Sequence, residues 1–167
     1  GPMEPIERSN SVSFADVDND GDLEMFVANE SGTNRLYDND GNGFFRDITA
    51  GSGIKTKRGG MCAAFGDLDR DGRSDLVVSF WTDRCRIFRN ETEPGGQIRF
   101  TEITERSGIG GAPHDRSNGV ALGDIDNDCD LDLCIMKRRG TTMLFLNDGT
   151  GEFTDISRRA LGQDTLA

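Results

Sequence analysis

Long apolar runs are missing from this sequence: none approaches the ~20 residues that a membrane-spanning helix needs, so we expect no membrane span. Basic residues are scarce, since 19 Lys and Arg stand against 30 Asp and Glu, giving a net charge of −11. This balance argues against a nucleic-acid partner. No signal peptide is visible in the sequence either. The opening Gly1-Pro2-Met3 resembles the residues that remain after cleavage by a protease, which is consistent with removal of a native leader.

Catalytic signatures are missing as well. The sequence contains no nucleophile elbow, phosphate-binding loop or dinucleotide-binding fingerprint. Its one histidine, His114, lies in the loop-like stretch GGAPHDRSNG, where Asp115 is a neighbour in sequence only. We interpret His114 as structural or idle, and the sequence therefore predicts a protein that is not an enzyme.

The sequence does contain an acidic phrase that occurs three times. It reads FADVDNDGDLEMF from Phe14, FGDLDRDGRSDLVV from Phe65 and LGDIDNDCDLDLCI from Leu122, and its first aspartates are separated by 51 and 57 residues. A second landmark reads FRDITAGSGI, FTEITERSGI and FTDISRRALG, at spacings of 55 and 53 residues. Repeats of this length are typical of solenoids and propellers.

Each repeat reads as four short strands, A to D, separated by turns rich in Gly, Asn and Asp. Strand B is apolar at nearly every position, as in Leu76, Val77 and Val78, which predicts that both faces of the sheet are covered. Sheets packed face to face around an axis explain this pattern. We therefore predict an all-β fold of three four-stranded β-propeller blades. The predicted boundaries are a scar and lead-in at 1–10, blade one at 11–60, blade two at 61–118 and blade three at 119–167.

The acidic phrase joins strands A and B and has the donor spacing of a cation-binding loop. Carboxylates stand at positions 1, 3, 5 and 9, position 7 offers a backbone carbonyl, and position 6 is Gly in two repeats. Calcium takes about six to eight oxygen ligands, and without a cation these carboxylates would repel one another. We predict calcium-binding A–B loops, about three Ca²⁺ in all. The expected ligands are Asp16, Asp18, Asp20, Asp22 and Glu24 in loop one, Asp67, Asp69, Asp71, Arg73 and Asp75 in loop two, and Asp124, Asp126, Asp128, Asp130 and Asp132 in loop three.

These loops differ from EF-hands and, at one position, from one another. An EF-hand needs a bidentate Glu at position 12 between two helices, whereas position 12 here is Val27, Val78 or Ile135 within strand B. Position 6 of the third loop is Cys129 instead of Gly. If that position needs a positive φ, a residue other than Gly adds roughly 1 kcal/mol of strain there.

The loop pattern D-x-D-x-D-G-x-x-[D/E], with FGD at Phe65–Asp67 and GGAP at Gly110–Pro113, resembles the FG-GAP/VCBS repeats of integrin α-chain propellers. The strand D phrase is similar to that of the cartilage acidic protein group. This resemblance implies calcium-bearing blades of an extracellular or secreted (periplasmic in a bacterium) adhesion or ligand-binding module, with the loop residues above as calcium ligands. Some polysaccharide lyases share the repeat, so the alternative is a non-catalytic part of a polysaccharide-active enzyme.

The cysteines leave their redox state open. Their even number, together with calcium loops, favours an oxidising compartment, as do two sequons at Asn29 and Asn90. Cys62 on strand A and Cys85 on strand C, however, are separated by strand B, or about 9–10 Å, which is too far for a disulfide. Free thiols are the other interpretation for all four cysteines, Cys62, Cys85, Cys129 and Cys134.

Two expectations concern partners. Propellers usually have about four to eight blades, so three would leave two apolar flanks bare, formed by Leu23, Met25 and Val27 and by Leu131, Leu133 and Ile135. We expect a second copy of the chain, as a dimer, or further blades of a longer or partner chain to complete the ring.

The edge opposite the acidic loops is expected to meet an acidic protein or a polyanionic glycan through Lys55, Lys57, Arg58, Arg84, Arg116, Lys137, Arg138 and Arg139.

Overall fold

The structure is a computed structural model, and it describes residues 8–56, 59–109, 117–138 and 142–162. Within these ranges the chain forms twelve strands and one helical turn. The strands are β1 (Ser9–Ala15), β2 (Glu24–Asn29), β3 (Arg35–Asn39), β4 (Phe45–Asp47), β5 (Gly60–Gly66), β6 (Asp75–Phe80), β7 (Arg86–Asn90), β8 (Phe100–Glu102), β9 (Ser117–Gly123), β10 (Asp132–Lys137), β11 (Met143–Asn147) and β12 (Phe153–Asp155), and the helix is α1 (Ser157–Ala160).

The strands form three antiparallel four-stranded sheets, each made from consecutive strands in the order β1-β2-β3-β4, β5-β6-β7-β8 and β9-β10-β11-β12. Each sheet is one sequence repeat, because short turns between neighbouring strands make antiparallel pairing local. The predicted all-β fold with four strands per repeat is therefore confirmed.

The second sheet lies between the other two. All six residues of its strand β6 are buried, and their side chains alternate between two cores. Leu76 and Val78 belong to the core shared with the first sheet, whereas Val77 belongs to the core shared with the third. This alternation is the structural reason for the uninterrupted apolar sequence of strand B.

The first strands of the sheets lie side by side. The Ser13 hydroxyl of β1 donates a hydrogen bond to the Ala63 carbonyl of β5 at 2.6 Å, and β5 in turn lies against β9. The A–B loops and the C–D turns share one edge of the array, since the Gly95 amide of the second sheet donates to the Asp18 carbonyl at 2.8 Å. The acidic loops therefore form a row along this edge.

The two outer faces of the array differ from the expected ones. Leu23 of the first sheet is half-exposed on an outer face, as expected, and Val12 and Phe14 are exposed beside it. Leu133 and Ile135 of the third sheet, however, are buried against the second sheet. The prediction for the third sheet was wrong because positions 10 and 12 of each repeat, counted from the first aspartate of the loop, face the preceding sheet, as Leu76 and Val78 do in the second sheet.

Candidate metal centre

The three A–B loops share one backbone shape. Position 4 has a positive φ in every copy, at Asn19 (57°), Arg70 (60°) and Asn127 (65°). Position 6 also has a positive φ, including 70° at Cys129, where the other loops have Gly. The condition stated for Cys129 is therefore met, and the third loop carries the strain of a side chain in the left-handed region.

The first carboxylate of each loop holds the turn closed. One oxygen of Asp16 accepts a hydrogen bond from the Gly21 amide at 3.2 Å, and the first aspartates of the other loops accept from position 6 at 2.9 and 3.1 Å. The carboxylate at position 9 lies under the loop and accepts from the amide at position 2. These bonds join Glu24 to Val17 at 2.8 Å, Asp75 to Leu68 at 3.0 Å and Asp132 to Ile125 at 2.8 Å.

In loop one, the carboxylates of Asp16, Asp18 and Glu24 converge, with one oxygen of each within 4.8 Å of the others. Asp18 is 7% exposed and Glu24 only 1%. One buried oxygen of each of these residues, and one of Asp22, has no hydrogen-bond partner among the described residues. Four unpartnered, buried carboxylate oxygens are costly unless a cation or a proton neutralises them. This donor set of oxygens alone fits a hard divalent cation.

The carboxyl groups of Asp18 and Glu24 in loop one have raised pKa values, because burial disfavours their charged forms. Burial raises the pKa of Glu24 to about 7. The pKa of Asp18 is also raised, chiefly by burial and next by the negative charge of Asp20. A bound divalent cation would favour the ionised forms of both groups and so oppose these shifts.

Loop two carries its own positive charges. Asp67, Asp69 and Asp71 present oxygens within 4.8 Å of one another, but Arg89 of β7 forms a 2.5 Å ion pair with Asp69. Arg73, which was predicted as a carbonyl ligand, forms a 2.5 Å ion pair with Asp71. Two guanidinium groups therefore neutralise part of the charge that a cation would otherwise balance.

The predicted position 9 ligand of loop two already has two hydrogen-bond donors. The oxygens of Asp75 accept from the Leu68 amide at 3.0 Å and the Asn90 amide at 2.8 Å, while burial raises its pKa to about 7. The carboxylate thus ties the loop to strand β7. Asp75 lies outside the group formed by Asp67, Asp69 and Asp71.

Loop three brings Asp124, Asp126 and Asp132 together within 4.8 Å. Arg70 of loop two forms an ion pair with Asp130 and donates to the Asp128 carbonyl at 2.9 Å. Asp128 also accepts a hydrogen bond from the Asp130 amide at 2.9 Å. Loop three is therefore linked electrostatically to its neighbour, and its charge is less compensated than that of loop two.

Sequence reasoning missed one position that distinguishes the loops. The residue before the last asparagine of strand C is Asp38, Arg89 or Leu146 in the three repeats. Asp38 adds negative charge beside loop one, where it raises the pKa of Asp18, whereas Arg89 adds positive charge to loop two. The phrases LYDN, IFRN and LFLN differ at this third residue, so the sequence does contain the difference in charge. Its proximity to the acidic loop, however, follows only from the pairing of strand C with strand B.

All four cysteines are free, and only Cys85 among them is buried. The sequon asparagines are also buried and bonded: the Asn29 amide donates to the Thr33 carbonyl and the Asn90 amide to the Val17 carbonyl, both at 2.8 Å. A glycan at either nitrogen would break these bonds, so the two sequons give no support for secretion.

The expected basic edge is only partly described. Arg84 forms an ion pair with Glu105, and the Arg138 guanidinium lies over the Trp81 ring, 4.4 Å from its centroid. A cleft of about 1220 Å³ beside the first two sheets is also lined by basic side chains. One of them, Arg35, forms an ion pair with Asp47 there. Positions 57, 58, 114, 116 and 139, which include His114, lie outside the described residues.

Comparison with known proteins gives matches of two kinds. Residues 7–78 match the model of the FG-GAP-like repeat family. The chain is also similar to cartilage acidic protein 1 from Xenopus tropicalis (29% identity), Mus musculus (30%) and Homo sapiens (29%), in each case over 123 residues. These matches cover 73% of this chain but 18% of each relative, so the chain spans less than a fifth of their length. The resemblance to FG-GAP repeats and to cartilage acidic protein is confirmed.

Proposed function

We propose that this array of FG-GAP-like repeats is a non-catalytic binding module whose acidic loops are stabilised by calcium. The observation that carries the proposal is the group of buried, unpartnered carboxylate oxygens in loop one. A bound Ca²⁺ would supply positive charge there and hold the A–B hairpin, with Asp16, Asp18, Asp22 and Glu24 as ligands.

The three loops should bind calcium with different affinities, because affinity increases with the number of ligand charges that no cation of the protein compensates. Loop one has five loop carboxylates, and Asp38 beside it is paired with Arg46 at 2.6 Å. Loop three has Arg70 as a counter-charge, and loop two has both Arg73 and Arg89. We therefore propose the order loop one, then loop three, then loop two.

Extracellular location follows from the same proposal. Loops of this kind bind calcium weakly and fill at the millimolar concentrations found outside cells. The relatives are named for cartilage, an extracellular tissue. Among the described residues no helix is long and apolar enough to cross a membrane.

The partner that we propose is an acidic protein or a polyanionic glycan, bound at the edge opposite the acidic loops. Arg138, held over Trp81, and its neighbour Lys137 are the described cations with the clearest placement there. Separation of negative and positive charge on opposite edges would orient such a partner. We expect retention on immobilised heparin at low salt, and earlier elution of the Lys137→Glu/Arg138→Glu variant. Unchanged elution of that variant would contradict this choice of partner.

Calcium binding is tested by thermal unfolding with and without calcium in metal-stripped protein. At about 100 times Kd, a ligand of the folded state alone adds about 2.7 kcal/mol, or roughly 5–10 °C in Tm for a chain of this size. Asp18→Asn should lose most of this shift because it removes a charged ligand from loop one. Asp40→Asn is the matched control, since Asp40 lies in the nearby C–D turn and caps Asn42. Equal calcium shifts in both variants, or none in the parent chain, would refute the proposal.

A further inference from the structure

The C–D turn of the second sheet is longer than the other two. It has nine residues between Asn90 and Phe100, whereas the C–D turns of the first and third sheets have five. The turn is held at two points. The Gly95 amide donates to the Asp18 carbonyl at 2.8 Å, and the Ile98 side chain is buried in the core shared with the first sheet. The extra residues therefore form a fixed wall beside the first sheet.

The cleft of about 1220 Å³ is lined both by this wall, at Gln97, and by strand β4, at Arg46 and Asp47. Strand β4 is the last strand of its sheet, and no described strand pairs with its outer side. Because the Ile48 amide donates to the Leu36 carbonyl at 3.0 Å, the preceding Asp47 turns its own amide and carbonyl away from β3. One wall of the cleft is therefore an unpaired strand edge.

The same cleft is lined by two residues whose side-chain donors lack partners. Asn34 is 0% exposed and Thr56 6%, and neither the Asn34 side-chain nitrogen nor the Thr56 hydroxyl has a hydrogen-bond partner among the described residues. The Asn34 side-chain oxygen, in contrast, accepts from the amides of Asn29 and Gly60 at 2.9 and 3.1 Å. An amide nitrogen can only donate, and leaving it buried and unpaired lowers stability. These atoms therefore fit a ligand that supplies acceptor oxygens.

The charge of the cleft favours an anion beside these donors. Both arginines of the lining are already compensated: Arg35 is paired with Asp47 at 2.7 Å. Arg46 is paired with Asp38 at 2.6 Å. Lys55, the residue before the buried threonine, is exposed, and no described residue forms an ion pair with it. One uncompensated positive charge thus lies next to an unpartnered donor, which suits a single carboxylate.

We propose that this cleft binds the C-terminal segment of a peptide or protein, with its free carboxylate at Asn34, Lys55 and Thr56. The segment would add a strand to the outer side of β4, since exposed sheet edges bind extended peptides in this way. The last contact of this strand pair joins Ile48 to Leu36, and Asn34 lies two residues further along. A peptide parallel to β4 would bring its carboxyl terminus to the donors, whereas an antiparallel one would bring a positive amine there.

The test compares a dansyl-labelled peptide, Gly-Ala-Ala-Ala-Val with a free C-terminus, with the same peptide ending in an amide. Both are titrated into the whole chain in excess calcium and again in chelator, so that an effect of calcium is seen separately from peptide binding. We expect the free acid to bind at least about tenfold more tightly, because the amide loses a charged hydrogen-bonded contact. In NMR spectra the free acid should shift the side-chain amide resonances of Asn34. Those of Asn90, which is buried and bonded to Val17, should stay in place.

Thr56→Val separates a binding role from a structural one, since it removes the unpartnered hydroxyl and keeps the shape of the side chain. We expect it to weaken binding of the free acid about three- to tenfold without lowering Tm. Thr154→Val is the matched control, because Thr154 is exposed on β12 and outside the cleft, and it should change neither quantity. Lys55→Gln should reduce the preference for the free acid over the amide.

Three results would overturn the proposal. The first is equal affinity for the free acid and the amide, or no binding of the free acid at about 1 mM. The second is unchanged peptide binding by Thr56→Val together with a lower Tm, which would make the hydroxyl structural. The third is a heparin tetrasaccharide that shifts the Asn34 resonances where the peptide does not, because the occupant would then be a glycan.

Discussion

Replacing Asn90 with alanine tests whether the sheet junctions hold the array together. The Asn90 side chain is fully buried, and its amide donates to the carbonyls of Val17 at 2.8 Å and Ser74 at 3.1 Å. Its side-chain oxygen accepts from the Thr92 amide at 2.9 Å. Alanine would therefore leave two carbonyls and one amide without these partners at the junction of the first and second sheets.

The expected cost follows from the groups left unpaired. Each buried group without a partner costs about 1–3 kcal/mol, and some relaxation or water entry offsets part of the sum. We expect the free energy of unfolding to fall by about 3 kcal/mol. For a chain of this length, this corresponds to a decrease in Tm of roughly 6–12 °C.

Asn39→Ala is the matched control, because Asn39 has the same place in the first sheet but no preceding sheet among the described residues. It makes one bond, to the Leu23 carbonyl at 3.2 Å, so its loss should cost about 1 kcal/mol or less. The assay is urea and thermal unfolding of both variants, with calcium present and absent. Equal losses in the two variants would refute the argument, since the contact with the neighbouring sheet would then contribute nothing.

Two further predictions concern burial. Leu68→Ala should lower the free energy of unfolding by about 2–5 kcal/mol, because Leu68 is 1% exposed between the second and third sheets. Ile125→Ala should lower it by well under about 1 kcal/mol, because the equivalent side chain of Ile125 is 50% exposed. Similar losses for the two variants in denaturant titrations would contradict this. Cys85 should resist thiol reagents near neutral pH in the folded chain while the exposed Cys129 reacts, because burial raises the pKa of the Cys85 thiol to about 12. Since this pKa lies above the ordinary 9.0, its contribution to stability is full below pH 9 and is lost as pH rises toward 12; rapid labelling of Cys85 without unfolding would exclude this interpretation.

Much of the fold could be predicted from local patterns. Strand alternation, glycine-rich turns and the triplicate phrases predict four antiparallel strands per repeat, because each of these features depends on residues close in sequence. The spacing of the acidic loops could be predicted in the same way, whereas the positive φ at Cys129 was only a condition of the sequence argument and is given by the structure. The direction of the array could not, and so Leu133 and Ile135 were assigned to the wrong face. The sequence of one strand does not tell which of its two faces will meet the preceding sheet and which the following one.

The sequence by itself determined the repeat unit, the strand order within each sheet and the spacing of the carboxylates, since these depend on contacts within about 20 residues. Only the tertiary structure decided that loop one has the most unpartnered carboxylate oxygens, because Arg89 reaches loop two from β7 and Arg70 reaches loop three from the loop before it. It likewise decided that Leu68 is buried and Ile125 half-exposed, although both follow the same acidic position in their repeats. The physical reason is that burial and charge compensation are set by the neighbouring sheet, which each repeat's own sequence does not encode.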